Sequence, residues 1–196
     1  MINKSNLSLW RDTKDYVVLD YETTGLSYKK GARVVEVCIY KIINGEPYEK
    51  YNTLVNPERH IPDELTQNVH GISDSMVRWA PNIRLVIGQI KEFIGDLTVV
   101  CHNVRFDWGT FTKPMFAELL DGYIPENNTL CTLEMSKLVG KSLNDRSLDS
   151  MYRFLTKKEP SLVHRSEPDV IMTLEVFQCL QRFVQTYYDA IYSNLK

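Results

Sequence analysis

Three extended runs follow one another near the start of the chain: DYVVLDYE, RVVEVCIYKII and YEKYNTLVNP, the last two joined by NGEP. Runs rich in Val, Ile and Tyr favour strands, and the Asn-Gly connection favours a tight hairpin. Short connections imply antiparallel neighbours, because parallel pairing needs a longer crossover. Beyond IPDELTQNVHGI, read as a short helix ending at Gly71, Ile83, Val86, Ile87, Ile90, Phe93 and Ile94 recur at helical spacing behind Pro81. LTVVCH then predicts a short buried strand, with a helix following around Trp108 to Leu120. A strand reached through a helix usually lies parallel to its sheet neighbour. The remainder predicts a short strand near Thr129 and helices over TLEMSKLV, SLDSMYRFL and a long C-terminal segment. That last segment places Ile171, Leu174, Phe177, Leu180, Val184, Tyr187 and Ile191 on one side. The expected architecture is α/β, a mixed sheet flanked by helices.

With 196 residues, 43% of them hydrophobic, the chain suits one packed domain, taken here as 1–196 with residues 1–14 as a peripheral extension. There is no repeat or linker, no apolar run of 18 residues, and no apolar core to a leader in MINKSNLSLWRDTKD. A cytoplasmic protein without membrane contact is therefore expected. Cys38, Cys101, Cys131 and Cys179 are too scattered for a disulfide framework or a zinc site and are expected to be reduced. A net charge of −2 excludes a broadly basic coat. Residues 137 to 165 are locally basic, through Lys137, Lys141, Arg146, Arg153, Lys157, Lys158 and Arg165, which an ordinary solvated helical surface also explains.

The first run ends unusually, as VVLDYETTGL. Alternate strand residues share a face, so Asp20 and Glu22 point one way and Tyr21 the other, with the two acids about 7 Å apart at their Cα atoms. Like charges so placed resist ionisation unless a cation lies between them, and hard Mg²⁺ or Mn²⁺ prefers all-oxygen ligands. The plainer explanation is the exposed end of a strand before a turn. Two further stretches add acids: CHNVRFDWGTF puts Asp107 at a helix start, and HRSEPDV offers His164 and Asp169. Each has a plain alternative as well. Asp107 suits a helix first turn, and Ser166 with Asp169 has the spacing of a capping box.

Taken in order, these stretches resemble the DEDDh (DnaQ-like) family of 3′-5′ exonucleases, which includes the proofreading epsilon subunit of bacterial DNA polymerase III and ribonuclease T. The resemblance rests on Asp-x-Glu-Thr-Thr-Gly, NPERHIPDELTQNVHGI, His-Asn-x-x-Phe-Asp, CTLEMSKL and His-x-x-x-x-Asp, and it spans nearly the whole chain. It implies a ribonuclease H-like fold with a mixed five-stranded sheet, the first three strands antiparallel. It further implies that Asp20, Glu22, Asp107 and Asp169 bind two divalent cations, Mg²⁺ or Mn²⁺, with His164 as general base. The backbone around Thr23, Thr24 and Gly25 would meet the terminal nucleotide, Leu26 would wedge against the last stacking step, and His70 and Asn103 would assist. Both of these last two also have structural readings, His70 as the end of a helix and Asn103 as a loop hydrogen-bonder. Phe106 is expected in the core, and Trp108 is open.

The activity implied is release of nucleoside 5′-monophosphates from nucleic acid 3′ ends, single-stranded DNA for preference, since an unpaired end costs no unpairing. RNA 3′-end trimming is the alternative within the family. The sequence departs from the family pattern at Ser166 and Val170, where small residues are usual, at Pro168 directly before Asp169, and at Cys131. More distant readings are a haloacid-dehalogenase-type phosphatase, suggested by Asp20, Glu22 and Thr24, and a non-catalytic nucleic-acid-binding polymerase accessory module. No long tail follows the last helix, so a stand-alone enzyme is expected over a tethered subunit, with a polymerase partner and homo-oligomerisation left open.

Overall fold

The computed structural model describes residues 4–139, 143–161 and 164–192. Strands β1 (Tyr16–Thr23), β2 (Val34–Ile43) and β3 (Glu46–Leu54) form an antiparallel meander, and β4 (Thr98–Cys101) and β5 (Thr129–Cys131) extend it on the other side of β1. The order is β3-β2-β1-β4-β5, with β1, β4 and β5 mutually parallel. The Asn44-Gly45 turn takes positive φ at both residues, 54° and 83°, as a two-residue hairpin on right-twisted strands requires. The expected mixed five-stranded sheet is present.

Alternation along β1 divides the interior. Val17, Leu19 and Tyr21 face a core completed by α4 (Ile83–Ile94), by a π-helical stretch at Arg105–Thr112 and by its continuation α5 (Lys113–Leu119). Tyr16 and Val18 face a second core built with Val100, Leu130 and the helices α6 (Thr132–Val139), α7 (Leu148–Thr156) and α8 (Ser166–Tyr192). Asp20 and Glu22 continue the even-numbered row, which places them on the α8 side.

Several expectations are corrected in detail. The helix anticipated from Trp108 begins at Arg105 and is π-helical up to Thr112, so its side chains advance differently from an α-helix. The short helix α2 (Asp63–Asn68) stops before Gly71, because Val69 leaves helical geometry at φ −120°, ψ −86°. A further short helix, α3 (Asp74–Val77), follows it. In α8 the buried row is Val170, Leu174, Phe177, Leu180 and Val184, whereas Ile171 and Tyr187 are exposed. Ile171 lies about 100° around the helix from Val170. The side chain of Ile191 falls outside the described residues.

The segment expected as a peripheral extension is ordered from Lys4 as helix α1 (Lys4–Asp12), packed onto α8. Trp10 is buried with its ring 4.9 Å from that of Phe177, and Gln181 Nε2 donates to the Trp10 and Thr13 carbonyls, 2.9 Å each. The four cysteines are unbridged, Cys38 and Cys101 buried and the other two partly so. The locally basic stretch is largely neutralised: Lys137 pairs with Glu134, Arg153 with Glu159, Lys158 with Glu175 and Arg165 with Glu36. Lys141 lies outside the described residues. No helix among the described residues is long and apolar enough to cross a membrane.

Candidate active site

β1 outruns its parallel neighbour: its pairing with β4 stops at Val18, while β1 itself continues to Thr23. The unpaired edge beyond Val18 is where a third acid enters. Asp107, in the π-helical stretch, is buried, and its own N–H donates to the Asn103 carbonyl at 3.3 Å. The turn is tied down behind it, since Thr112 Oγ1 donates to the Asp107 carbonyl (2.8 Å) and lies 3.1 Å from the Tyr21 hydroxyl. Tyr21 thus points away from Asp20 and Glu22, and its hydroxyl reaches the Asp107 backbone through Thr112.

The fourth acid comes from the first turn of α8. One oxygen each from Asp20, Glu22 and Asp169 lie within 4.8 Å of one another. Asp107 also faces this group, raising the pKa of both Asp20 and Glu22 by charge repulsion. Burial and mutual repulsion push Asp20 well up and Glu22 to about 8, burial pushes Asp169 to about 6 against the pull of His164, and burial above all pushes Asp107 to about 8. A divalent cation removes this penalty, and an all-carboxylate donor set is the chemistry that hard cations select. The residues therefore fit such an ion.

The capping-box reading of Ser166 and Asp169 is not realised. Ser166 is already helical and buried, and its N–H donates to Glu36 Oε2 at 3.0 Å. Asp169 faces the other acids instead. Pro168 sits within the first helical turn, where its missing N–H costs nothing.

His164 stands just ahead of this helix, its side chain about half exposed, with Nδ1 3.9 Å from Asp169 Oδ2. That is close enough for attraction and too long for a hydrogen bond. His102, the other histidine near the site, is fully engaged. Its Nε2 lies 3.0 Å from the Arg146 carbonyl and must donate, which leaves Nδ1 to accept from Thr132 Oγ1 at 2.8 Å.

The Thr-Thr-Gly loop is braced from within. Thr23 Oγ1 donates to the Gly25 carbonyl (2.7 Å), Thr24 Oγ1 accepts from the Arg33 N–H (2.9 Å), and the Thr24 N–H donates to the Arg33 carbonyl (2.8 Å). The Thr24 amide, expected to meet a terminal nucleotide, is thus already used. Leu26 projects outward, 85% exposed, beside a groove of about 720 Å³ lined by Gly25, Lys30, Arg59, His60 and Thr110 among others.

His70 is buried. Its Nδ1 accepts from the Ile72 N–H at 3.0 Å, which leaves the ring proton on Nε2, a buried atom without a hydrogen-bond partner among the described residues. Burial lowers its pKa. Asn103 is exposed and its carbonyl receives the Phe106 N–H, opening the π-helical stretch. Phe106 packs on Phe111 as a core residue, and Trp108 is buried, which removes it as a stacking platform.

Glu36 escaped the reading of the sequence. It is buried directly opposite Glu22 on β2 and is gripped by Arg165. The available signal was a single charge inside the otherwise apolar run VVEVCIY.

Comparison with known proteins agrees with this geometry. The exonuclease family RNase_T matches residues 17–177. DNA polymerase III PolC-type from Staphylococcus epidermidis is 34% identical over 173 residues, and its Staphylococcus aureus counterpart 34% over 166, covering 85% and 83% of this chain. The chain spans only 11% of the length of these relatives. Among solved structures, Exonuclease X in complex with 5′ overhanging duplex DNA superposes with a TM-score of 0.59 at 22% identity, over 82% of this chain and 89% of that one. Cell-death related nuclease 4 gives 0.68 at 16%, over 89% and 64%. A 3′-exonuclease that recognises the histone mRNA stem-loop gives 0.69 at 14%, over 87% and 64%. The fold is ribonuclease H-like, and a dehalogenase-type phosphatase is no longer a reading of the acids on β1. From the residues that the RNase_T family matches, the chain belongs to the DnaQ-like exonuclease family.

Proposed function

We propose that this protein is a divalent-cation-dependent 3′-5′ exonuclease that releases nucleoside 5′-monophosphates from DNA, single-stranded 3′ ends above all. The observation that carries the proposal is the convergence of Asp20, Glu22 and Asp169 within 4.8 Å, with buried Asp107 facing them. These four carboxylates would hold the divalent ions, two of Mg²⁺ or Mn²⁺. Such a pair, when bound, relieves charge at the phosphodiester and at both the attacking and the leaving oxygen.

The chain supplies the remaining elements. His164 is close to Asp169 yet solvent-accessible, so it can take a proton from the attacking water and return it to bulk solvent. Leu26 separates the terminal base from its neighbour, with the Gly25 backbone and Asn103 alongside. Lys30 and Arg59 on the groove wall suit the phosphates upstream, where basic side chains position a strand without reading its sequence. The polymerase relatives support DNA over RNA as substrate and a polymerase as partner.

The test is digestion of 5′-labelled single-stranded DNA, duplex DNA and RNA with Mg²⁺ and with EDTA. The expected outcome is a ladder shortening from the 3′ end, fastest on single-stranded DNA and abolished by EDTA. Full-length label persisting in Mg²⁺ and in Mn²⁺ would sink the proposal. Faster shortening of RNA than of DNA would move the substrate to the exoribonuclease alternative. Asp20→Ala should remove digestion while leaving binding of the oligonucleotide measurable, which also separates the enzyme from a non-catalytic binding module.

A further inference from the structure

The Glu36 side chain is 4% exposed and lies directly across the strand pair from Glu22. Like charges in that position destabilise a sheet, and an apolar residue there would fold more readily. Its contacts are therefore informative. Oε2 accepts from Arg165 Nε at 2.9 Å and from the Ser166 N–H at 3.0 Å, and Oε1 accepts from Arg165 Nη2 at 2.5 Å. One carboxylate thus fixes the side chain of one residue and the backbone of the next.

Those two residues lie between the half-exposed His164 and Asp169, at the point where α8 begins. A second tie runs parallel to the first. Glu167 accepts from Tyr40 (2.8 Å), Lys50 (2.7 Å) and Asn52 (3.0 Å), so the head of α8 is fastened to both β2 and β3. Glu167 is part exposed, whereas Glu36 is buried and its bond from the Ser166 N–H is interior. A planar guanidinium gripped on two sides holds its own backbone in one orientation, which an ammonium cannot do.

We propose that Glu36 and Arg165 are positioning residues: their two-pronged pair, with the Ser166 N–H, sets where His164 and Asp169 stand relative to Asp20 and Glu22. This rests on the nuclease reading above for its catalytic consequence, and on the hydrogen bonds alone for its structural one.

The experiment measures kcat and KM on single-stranded DNA together with amide hydrogen exchange over residues 164–172, for wild type, Arg165→Ala, Arg165→Lys and Glu36→Gln. Arg165→Ala should lower kcat about 10- to 100-fold, the usual reach of a residue acting through another, with KM nearly unchanged. Exchange at Ser166 should accelerate in the same variant. Guanidinium at tens of millimolar should restore part of its kcat, while equal sodium chloride should not. Arg165→Lys keeps the charge without the fork and should also lose kcat, and it serves with Glu36→Gln should Arg165→Ala fail to fold. Unchanged kcat in folded variants, a loss carried by KM, or lost kcat without faster exchange would each overturn the proposal. A wild-type protein that digests nothing would sink the nuclease reading, whereas faster Ser166 exchange in Glu36→Gln would still support the positioning role.

Discussion

Two segments of this protein carry the same pair at the same spacing, a histidine with an aspartate five residues later: His102 and Asp107 after β4, His164 and Asp169 at the head of α8. Asp169 joins Asp20 and Glu22, and Asp107 is buried near enough to repel both, yet the histidines have opposite fates. His102 is spent on two hydrogen bonds that tie it to the start of α6 and to the loop before α7, and burial lowers its pKa. His164 has its ring in solvent with one loose contact to Asp169. Spacing alone does not assign a proton carrier; the number of ring nitrogens already committed does.

The largest effects should be common to both segments. Asp107→Asn and Asp169→Asn should each reduce release of mononucleotides to background, and retained activity in either would break the symmetry of the two acids. The histidines should then diverge. His164→Ala should lower kcat by about 10²- to 10⁴-fold, the range for a lost general base, with unchanged thermal stability. His102→Ala should instead leave the Thr132 hydroxyl and the Arg146 carbonyl without their partner, at about 1–3 kcal/mol each, and be read in the melting temperature. A swap of those two phenotypes would reverse the roles assigned here.

A smaller contrast concerns pH. The folded-state pKa of Asp107 is raised to about 8 by burial, so metal-free protein forfeits stability as pH climbs from the ordinary carboxylate range toward that value. Asp107→Asn should therefore melt higher than wild type in EDTA at pH 8 and lose that advantage at pH 5, with Mg²⁺ shrinking the difference. A constant difference across pH would show Asp107 ionising without penalty. Smallest of all, Leu26→Ala should leave the melting temperature untouched, since that side chain is 85% exposed, and raise KM for single-stranded DNA a few-fold.

The strands and the antiparallel start of the sheet were legible in the sequence because each rests on a local rule, whereas the four acids were joined only by the family resemblance. Period-two patterning marks β1, Asn44-Gly45 marks the hairpin, and the acids sit at strand and helix ends. What stayed hidden depends on contacts between distant residues. Glu36 pairs with Arg165 from 129 positions away, and Trp10 finds Phe177 only once α1 and α8 exist. The Thr24 amide looked available because its partner, the Arg33 carbonyl, belongs to the adjoining strand margin. The π-helical stretch that turns Asp107 inward has no sequence signature of its own, and an α-helical count from Trp108 misses it.

The strict alternation of β1 leaves the enzyme little tolerance for insertion. Adding one amino acid between Tyr16 and Leu19 would rotate everything after it by half a period, sending Asp20 and Glu22 toward Phe111 and Tyr21 toward α8. Acids meant for cations would then be stranded among aromatic rings, so this short ribbon cannot lose its reading phase without losing both architecture and catalysis.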